Sequence, residues 1–393
     1  MSLVKKTPLA LIFTVVFVDL LGFGILVPIL PAFAVTQLGA SESFVGVAIA
    51  TYSFIQFLFN PVFGSLSDKY GRRHIIVFTL LINATGYIIF AFSHSWWMLL
   101  LSRVVSGIGG STIGVAQAYI ADVTTKQERA KGMGLIGVAF GLGFVFGPLI
   151  GGVLAEFGYM VTGFAAAGAS LTAFVFCFFF LPEPPNKVFG GKKDKVFDFH
   201  AAKRVLSNST IAIPILLVFI IIFSVANIYG TLAMLGVKIL GFSDFQNGLQ
   251  FGVIGIVSAI VQGGFVGRLS KRLQDRMLIV SGGIFMSIGL AGIPLAGDFW
   301  SLAAVVAILS VGSGILQPTL LSLVSKVAPE NEQGLVLGMN QSVASFARML
   351  GPLWGGFAFQ YLGYSIPFFT GAAFTVVIIL FSIFYFTKFI IID

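Results

Sequence analysis

Cysteine is almost missing from these 393 residues: Cys177 stands alone in an apolar run. Its solitude excludes disulfides, thiolate metal clusters and redox pairs within the chain and leaves packing as its expected role. Charge is scarce too, at 10% of residues against 57% hydrophobic, with a mean hydropathy of +1.01. No water-soluble domain of this size carries such a surface, so the expected solvent is lipid. The Gly-x-x-x-x-Gly-Lys-Ser/Thr nucleotide loop is lacking. Within the apolar runs there are no paired carboxylates, no metal-ligand cluster and no nucleophile beside a base. An enzyme is therefore not expected, nor is a cofactor or metal. A cleavable leader is not expected either, because the apolar run from Pro8 to Pro31 exceeds an h-region of about 7 to 15 residues; it reads as a first span.

What the chain has is a succession of stretches near the roughly 20 apolar residues that cross a bilayer core. Apolar runs between polar, Gly and Pro punctuation predict helices near 9–32, 44–66, 74–93, 96–122, 132–155 and 160–182, then 211–236, 244–268, 277–297, 299–326, 334–357 and 364–388. With an inward N-terminus, all 23 Lys and Arg residues except Arg103, Lys238 and Arg348 fall in loops or helix ends on one side. The positive-inside rule then makes both termini cytoplasmic. The net charge of +8 reads as an insertion signal and a contact with anionic membrane lipids, with no nucleic-acid partner.

The polar segment 183–210, with Pro184, Pro185 and a Lys-rich run, divides the chain into bundles at 1–182 and 211–393. Its part from 197 to 206 reads either as a surface helix or as a plain loop. Three matches link the halves at one offset. Gly147-Pro148-Leu-Ile-Gly151-Gly152 matches Gly351-Pro352-Leu-Trp-Gly-Gly at 204; Gly64-Ser-Leu-Ser matches Gly267-Arg-Leu-Ser at 203; and Glu128 to Gly134 matches Glu332 to Gly338 at 204. The expected fold is all-α and polytopic, twelve helices in two six-helix bundles related by a pseudo-two-fold axis, with a site near the midplane.

These residues also carry a resemblance. Gly64-Ser-Leu-Ser-Asp68-Lys-Tyr-Gly71-Arg72-Arg73 resembles the signature between helices two and three of the major facilitator superfamily. Arg103 with Gly107 and Gly110 is similar to its fourth-helix motif, and Gly141 to Gly152 to the fifth-helix motif of its antiporters. Asp19-Leu-Leu-Gly-Phe-Gly-Ile-Leu-Val-Pro-Ile-Leu-Pro31 resembles the first helix of tetracycline/proton and related drug/proton antiporters. The resemblance implies a cytoplasmic latch at Gly64, Asp68, Gly71, Arg72 and Arg73, where the bland reading is that these charges only fix topology. It is asymmetric, since Lys271 and Gln274 replace Asp68 and Gly71 in the second half. Gly147, Pro148, Gly151, Gly152, Gly351 and Pro352 read as close helix packing or as a hinge.

Of 15 acidic residues Asp19 alone lies deep, about ten residues or on the order of 15 Å into its helix. A bare carboxylate there is costly, so it must be paired, hydrated or protonated for part of a cycle. It is either the proton carrier or half of a static ion pair with Arg103 or Arg348. Arg103, Gly107, Gly110, Gly114 and Gln117 share one face of the fourth helix; Gln341, Ser345, Arg348 and Pro352 share one of the eleventh. Tyr52 and Gln56, Asn227 and Thr231, and Gln317 and Asn340 add polar groups, each a substrate contact or an interhelical hydrogen bond. The expectation is a monomeric, gradient-driven transporter in a bacterial inner membrane, a proton-coupled antiporter exporting a small amphiphilic compound. Its proton-coupling residues would be Asp19 and Arg103; its substrate residues Tyr52, Gln56, Gln117, Asn227, Gln317, Asn340, Gln341 and Arg348. Its rivals are a transporter of a metabolite, siderophore or lipid, and a non-transporting receptor or scaffold.

Overall fold

A computed structural model of the chain describes residues 3–124, 126–184, 207–270, 272–329 and 333–389. Every regular element among them is a helix, as lipid demands of a backbone that must satisfy its own hydrogen bonds. Among the described residues twelve helical columns follow one another. They are α1 (Leu3–Leu26, continued by Ile29–Thr36), α2 (Glu42–Tyr70), α3 (Arg72–Ala91), α4 (Trp96–Gly109, continued by Thr112–Val123), α5 (Lys126–Ala155) and α6 (Tyr159–Phe180). Then come α7 (Ser209–Lys238), α8 (Asp244–Ile260, passing through a π-helical stretch Val261–Val266), α9 (Asp275–Gly292), α10 (Phe299–Val327), α11 (Gln333–Tyr361) and α12 (Ile366–Phe389). Among the described residues ten columns are long and apolar enough to cross a membrane, and α5 adds the apolar stretch Gly141–Ala155. The chain is an integral, multi-pass membrane protein.

Two helices expected to be single are broken. α1 turns at Val27 and Pro28 and resumes toward Thr36. α4 breaks at Gly110 and Ser111, where a side chain on Gly110 would collide with the Tyr52 ring at 2.8 Å. The absence of a Cβ lets α2 press on the break, and Gln56 Nε2 donates to the freed carbonyl of Gly110 at 2.8 Å.

The contacts divide the chain into one unit of Met1–Ala40 with Thr51–Val196, and another of Ser41–Ala50 with Phe197–Asp393. The first turns of α2 thus count with the second unit: Ser43 N–H donates to Gln360 Oε1 at 3.0 Å, and Lys238 pairs with Glu42. Of the polar connection, residues 185–206 lie outside the described residues, and with them the candidate surface helix at 197–206.

In the first unit Ile12, Val16, Leu80, Tyr119 and Cys177 form a fully buried core; the lone cysteine packs there. The Gly-Pro segments are contact surfaces. A Cβ on Gly147 would stand 2.6 Å from Gly24 Cα, and one on Gly351 2.7 Å from Phe223 O. Gly151 meets the Ile25 carbonyl, and Gly152 is buried beside it. Pro148 and Pro352 stand inside helices that continue on both sides.

Candidate functional site: a buried carboxylate and a charged helix junction

Asp19 is 3% exposed, on the face of α1 that reaches Asn83 of α3 and Ser170 of α6. Asn83 Nδ2 of α3 donates to its Oδ1 at 2.6 Å, and Ser170 Oγ of α6 donates to the same oxygen at 3.4 Å. The amide also reaches Ser170 Oγ at 3.4 Å, closing a triangle. No Lys or Arg among the described residues lies within ion-pair distance of Asp19, so the static pair weighed from sequence is not formed. The carboxylate is held by neutral donors alone.

The Asn83 and Ser170 partnership was invisible in the sequence because its members lie 64 and 151 residues from Asp19. One signal was available: Asn83 interrupts the apolar run Ile75 to Phe90 with an amide. Glycines let α4 approach it. A Cβ on Gly109 would stand 2.6 Å from Asn83 Cα, and one on Gly86 would stand 2.6 Å from Ser106 N.

Arg103 lies across this contact, 3% exposed, with its guanidinium 5.7 Å from the Phe90 ring centre and its Nε donating to Ser102 Oγ at 3.3 Å. Arg348 is less deeply placed: it is half-buried, and Nη2 donates to Ser345 Oγ at 3.0 Å.

The other expected residues divide by environment. Tyr52 is buried and packs against Phe23 with the rings tilted, 4.9 Å between centroids, with Phe144 beyond it. Asn227 is fully buried and Nδ2 donates to Pro367 O at 2.7 Å, a helix-to-helix tie facing Gly355. Asn340 is buried; Gln117 and Gln317 are half-buried; Gln341 is exposed. A cavity of about 450 Å³ opens in the second unit between α7, α11 and α12, lined by Phe223, Leu353, Trp354, Phe357 and Phe374 with Thr370. Its walls carry no titratable group and none of the predicted site residues.

The signature loop forms a compact junction. Gly71, at φ +104°, turns the chain between α2 and α3 in a conformation that side chains rarely adopt. Arg72 follows with its side chain 9% exposed and binds Asp68 at 2.6 Å, Asp122 Oδ2 at the end of α4 at 2.8 Å and Ser67 Oγ at 2.6 Å; the Gly64 carbonyl lies 3.4 Å away. Glu183, expected only as the start of a linker, returns to cap α3. Its two oxygens accept from Arg72 N–H (2.5 Å) and Arg73 N–H (3.1 Å), which satisfies orphan donors at the positive end of the helix dipole. Arg73 donates to the Phe178 carbonyl, and Tyr119 Oη to the Pro182 carbonyl at 2.8 Å, fixing the end of α6 beside this cap.

Comparison with known proteins gives a consistent outcome. The model of the Major Facilitator Superfamily matches residues 12–352 and again 264–388. Among curated relatives, the tetracycline resistance protein, class B, of Escherichia coli is 31% identical, covering 93% of this chain and 91% of that protein. Multidrug resistance protein 2 of Bacillus subtilis (strain 168) is 28% identical over 93% and 91%. Among solved structures, a bacterial homologue of the human lysosomal transporter Spinster, inward-facing and unoccupied, shares the fold with a TM-score of 0.76 at 13% identity, covering 98% of this chain and 95% of that one.

Proposed function

Since the chain belongs to the major facilitator superfamily and is a secondary active transporter, not an enzyme, we propose that it exchanges protons for a small amphiphilic compound and exports that compound by alternating access. Asp19 is the proton carrier. The observation that carries this reading is the carboxylate's company: one amide and one hydroxyl, deep in apolar helices, with no cation among the described residues paired to it. A carboxylate in such surroundings is not neutralised by a fixed partner, so binding and releasing a proton is how it changes charge. Tetracycline and multidrug resistance proteins being relatives, an amphiphilic drug is the substrate class the reading favours.

Arg103 shapes the proton path, Arg348 and the half-buried glutamines Gln117 and Gln317 face substrate, and the Asp68, Arg72 and Asp122 junction holds the cytoplasmic ends of α2, α3 and α4 as a latch. Tyr52, Gln56 and Asn227 serve the site by fixing helices. The protein works as a monomer in a bacterial inner membrane with both termini in the cytoplasm, its basic loops against anionic lipid.

The test is flux in proteoliposomes with an imposed pH gradient, using tetracycline and the cationic dye ethidium as probes. Accumulation that collapses with the gradient is expected for the wild type. Full gradient-driven accumulation by Asp19→Asn would remove Asp19 from the coupling step.

A further inference from the structure

Beside Asp19 the first unit buries more polar atoms than it pairs. Asn83 Oδ1, Ser106 Oγ and Arg103 Nη2 have no hydrogen-bond partner among the described residues, Tyr87 Oη has only the Asn83 side chain beside it, and their residues are between 0% and 3% exposed. Buried polar atoms are ordinarily paired, so such a group in one place is unusual for a purely structural contact. They are contiguous. Asn83 and Tyr87 are one turn apart on α3, Ser106 packs on Gly86, and Arg103 lies one turn from Ser106 over the Phe90 ring. Tyr87 bridges toward α1, where a Cβ on Gly22, one turn beyond Asp19, would meet its ring at 3.2 Å. The ionisable groups around Tyr87 are Asp19 on α1, Tyr52 on α2 and Arg103 on α4, while α6 presents Ser170.

We propose that Tyr87 and Ser106, bordered by Arg103, form a proton relay feeding Asp19. It rests on the reading of Asp19 as the carrier and adds the route. These residues are between 0% and 3% exposed and two of them carry hydroxyls, a composition that suits water better than an amphiphilic substrate. Two hydroxyls each donate and accept, and one fixed cation keeps a hydronium from settling. In the transfer, a hydrated proton gives its proton to Tyr87 Oη while the proton already on that oxygen passes, directly or over one water, to the Asp19 carboxylate. Hydronium and carboxylate become water and carboxylic acid, and Tyr87 is neutral before and after. Ser106 hands on the preceding proton in the same way. The Asn83 amide cannot relay. Its Nδ2 holds Asp19 Oδ1, and it acts as a positioning residue.

The experiment uses the full chain in lipid nanodiscs, with protons released from a photolabile acid and the infrared carboxylic-acid band of Asp19, identified by its loss in Asp19→Asn, followed in time. No substrate or gradient is needed, so transport failure and relay failure are separate. Tyr87→Phe and Ser106→Ala, which remove one oxygen each, should slow the rise of the band by at least about tenfold and leave its final amplitude intact. An unchanged rate in either variant overturns the relay, as does reduced amplitude at an unchanged rate, which would mark mere support of Asp19. Persistence of the band in Asp19→Asn would overturn the reading of Asp19 itself.

Discussion

The two units repeat their packing and differ in their chemistry. In the first, Gly86 packs on Ser106 and Gly109 on Asn83; in the second, 203 residues on, Gly289 packs on Leu309 and Gly312 on Met286. The glycine stays, because only hydrogen lets two backbones approach so closely. The residue it meets changes from polar to apolar. Arg73 donates to the Phe178 carbonyl, and Arg276 to the Ile383 carbonyl at 2.9 Å. At the same relative place the ion pair is inverted: Arg72 with Asp122 in the first unit becomes Asp275 with Lys326, 2.7 Å apart, in the second. Geometry answers to packing, which both units need. Among the described residues the deeply buried carboxylate, with Asn83 and Ser170 as its partners, belongs to the first unit.

The largest test of this difference is Asp19→Asn. The second unit has Phe223 at the matching offset of 204 and no deep carboxylate among its described residues, so nothing there can take over. Gradient-driven accumulation should fall by about a hundredfold or more, the equivalent of roughly 2.7 kcal/mol, while equal amounts of folded protein insert. Next, Arg103→Ala should reduce transport more than Arg348→Ala at matched expression, because Arg103 is fully enclosed beside the site and Arg348 is half-buried. Equal or reversed losses, measured as initial efflux rates, would move the coupling partner to the second unit.

Exchanging the residues of the two units sharpens the contrast. Asn83→Met, which installs the second unit's residue, should leave Asp19 with the long Ser170 bond alone and lower stability by about 1–3 kcal/mol, read as a lower melting temperature in detergent. Met286→Asn should destabilise comparably by burying an amide among apolar neighbours, yet leave proton coupling unchanged. At the junctions, Arg72→Ala should destabilise by about 1–3 kcal/mol, since its side chain is 9% exposed and ties Asp68, Asp122 and Ser67 together. Lys326→Ala, with a side chain 50% exposed, should change stability by about 0–1 kcal/mol. Transport assays on both would show whether either junction works as a latch.

The smallest effect concerns the caps of α4 and α10. Ser95 Oγ accepts from Met98 N–H, and Asp298, 203 residues on, accepts from Trp300 and Ser301 N–H. The Ser301 N–H bond, with help from the Trp300 N–H and the Ser301 hydroxyl, holds the Asp298 carboxyl below the usual carboxylate range. Its contribution is therefore present above the unfolded-state value and lost as pH falls through the lowered folded one. Ser95 has no such dependence. Melting curves of Asp298→Ser should match the wild type at acid pH and fall slightly below it near neutrality.

Much of this protein was written in local chemistry. Lipid as solvent followed from composition, the helical columns from the length of apolar runs, the repeat from three matches at one offset, and Asp19 from its depth alone, because each is a property of residues near one another in the chain. The family resemblance, too, rested on contiguous motifs, and the family match agrees with it. What the tertiary structure decided was company. That Asp19 meets Asn83 and Ser170 and not an arginine, that Glu183 returns to cap α3, and that Asp122 completes the signature loop all depend on helices 50 to 151 residues apart being packed at a particular rotation. Periodicity names the face of a helix; only packing against neighbours chooses which side chain of another helix stands opposite, because that is settled by glycine-sized gaps and volumes distributed over the whole bundle.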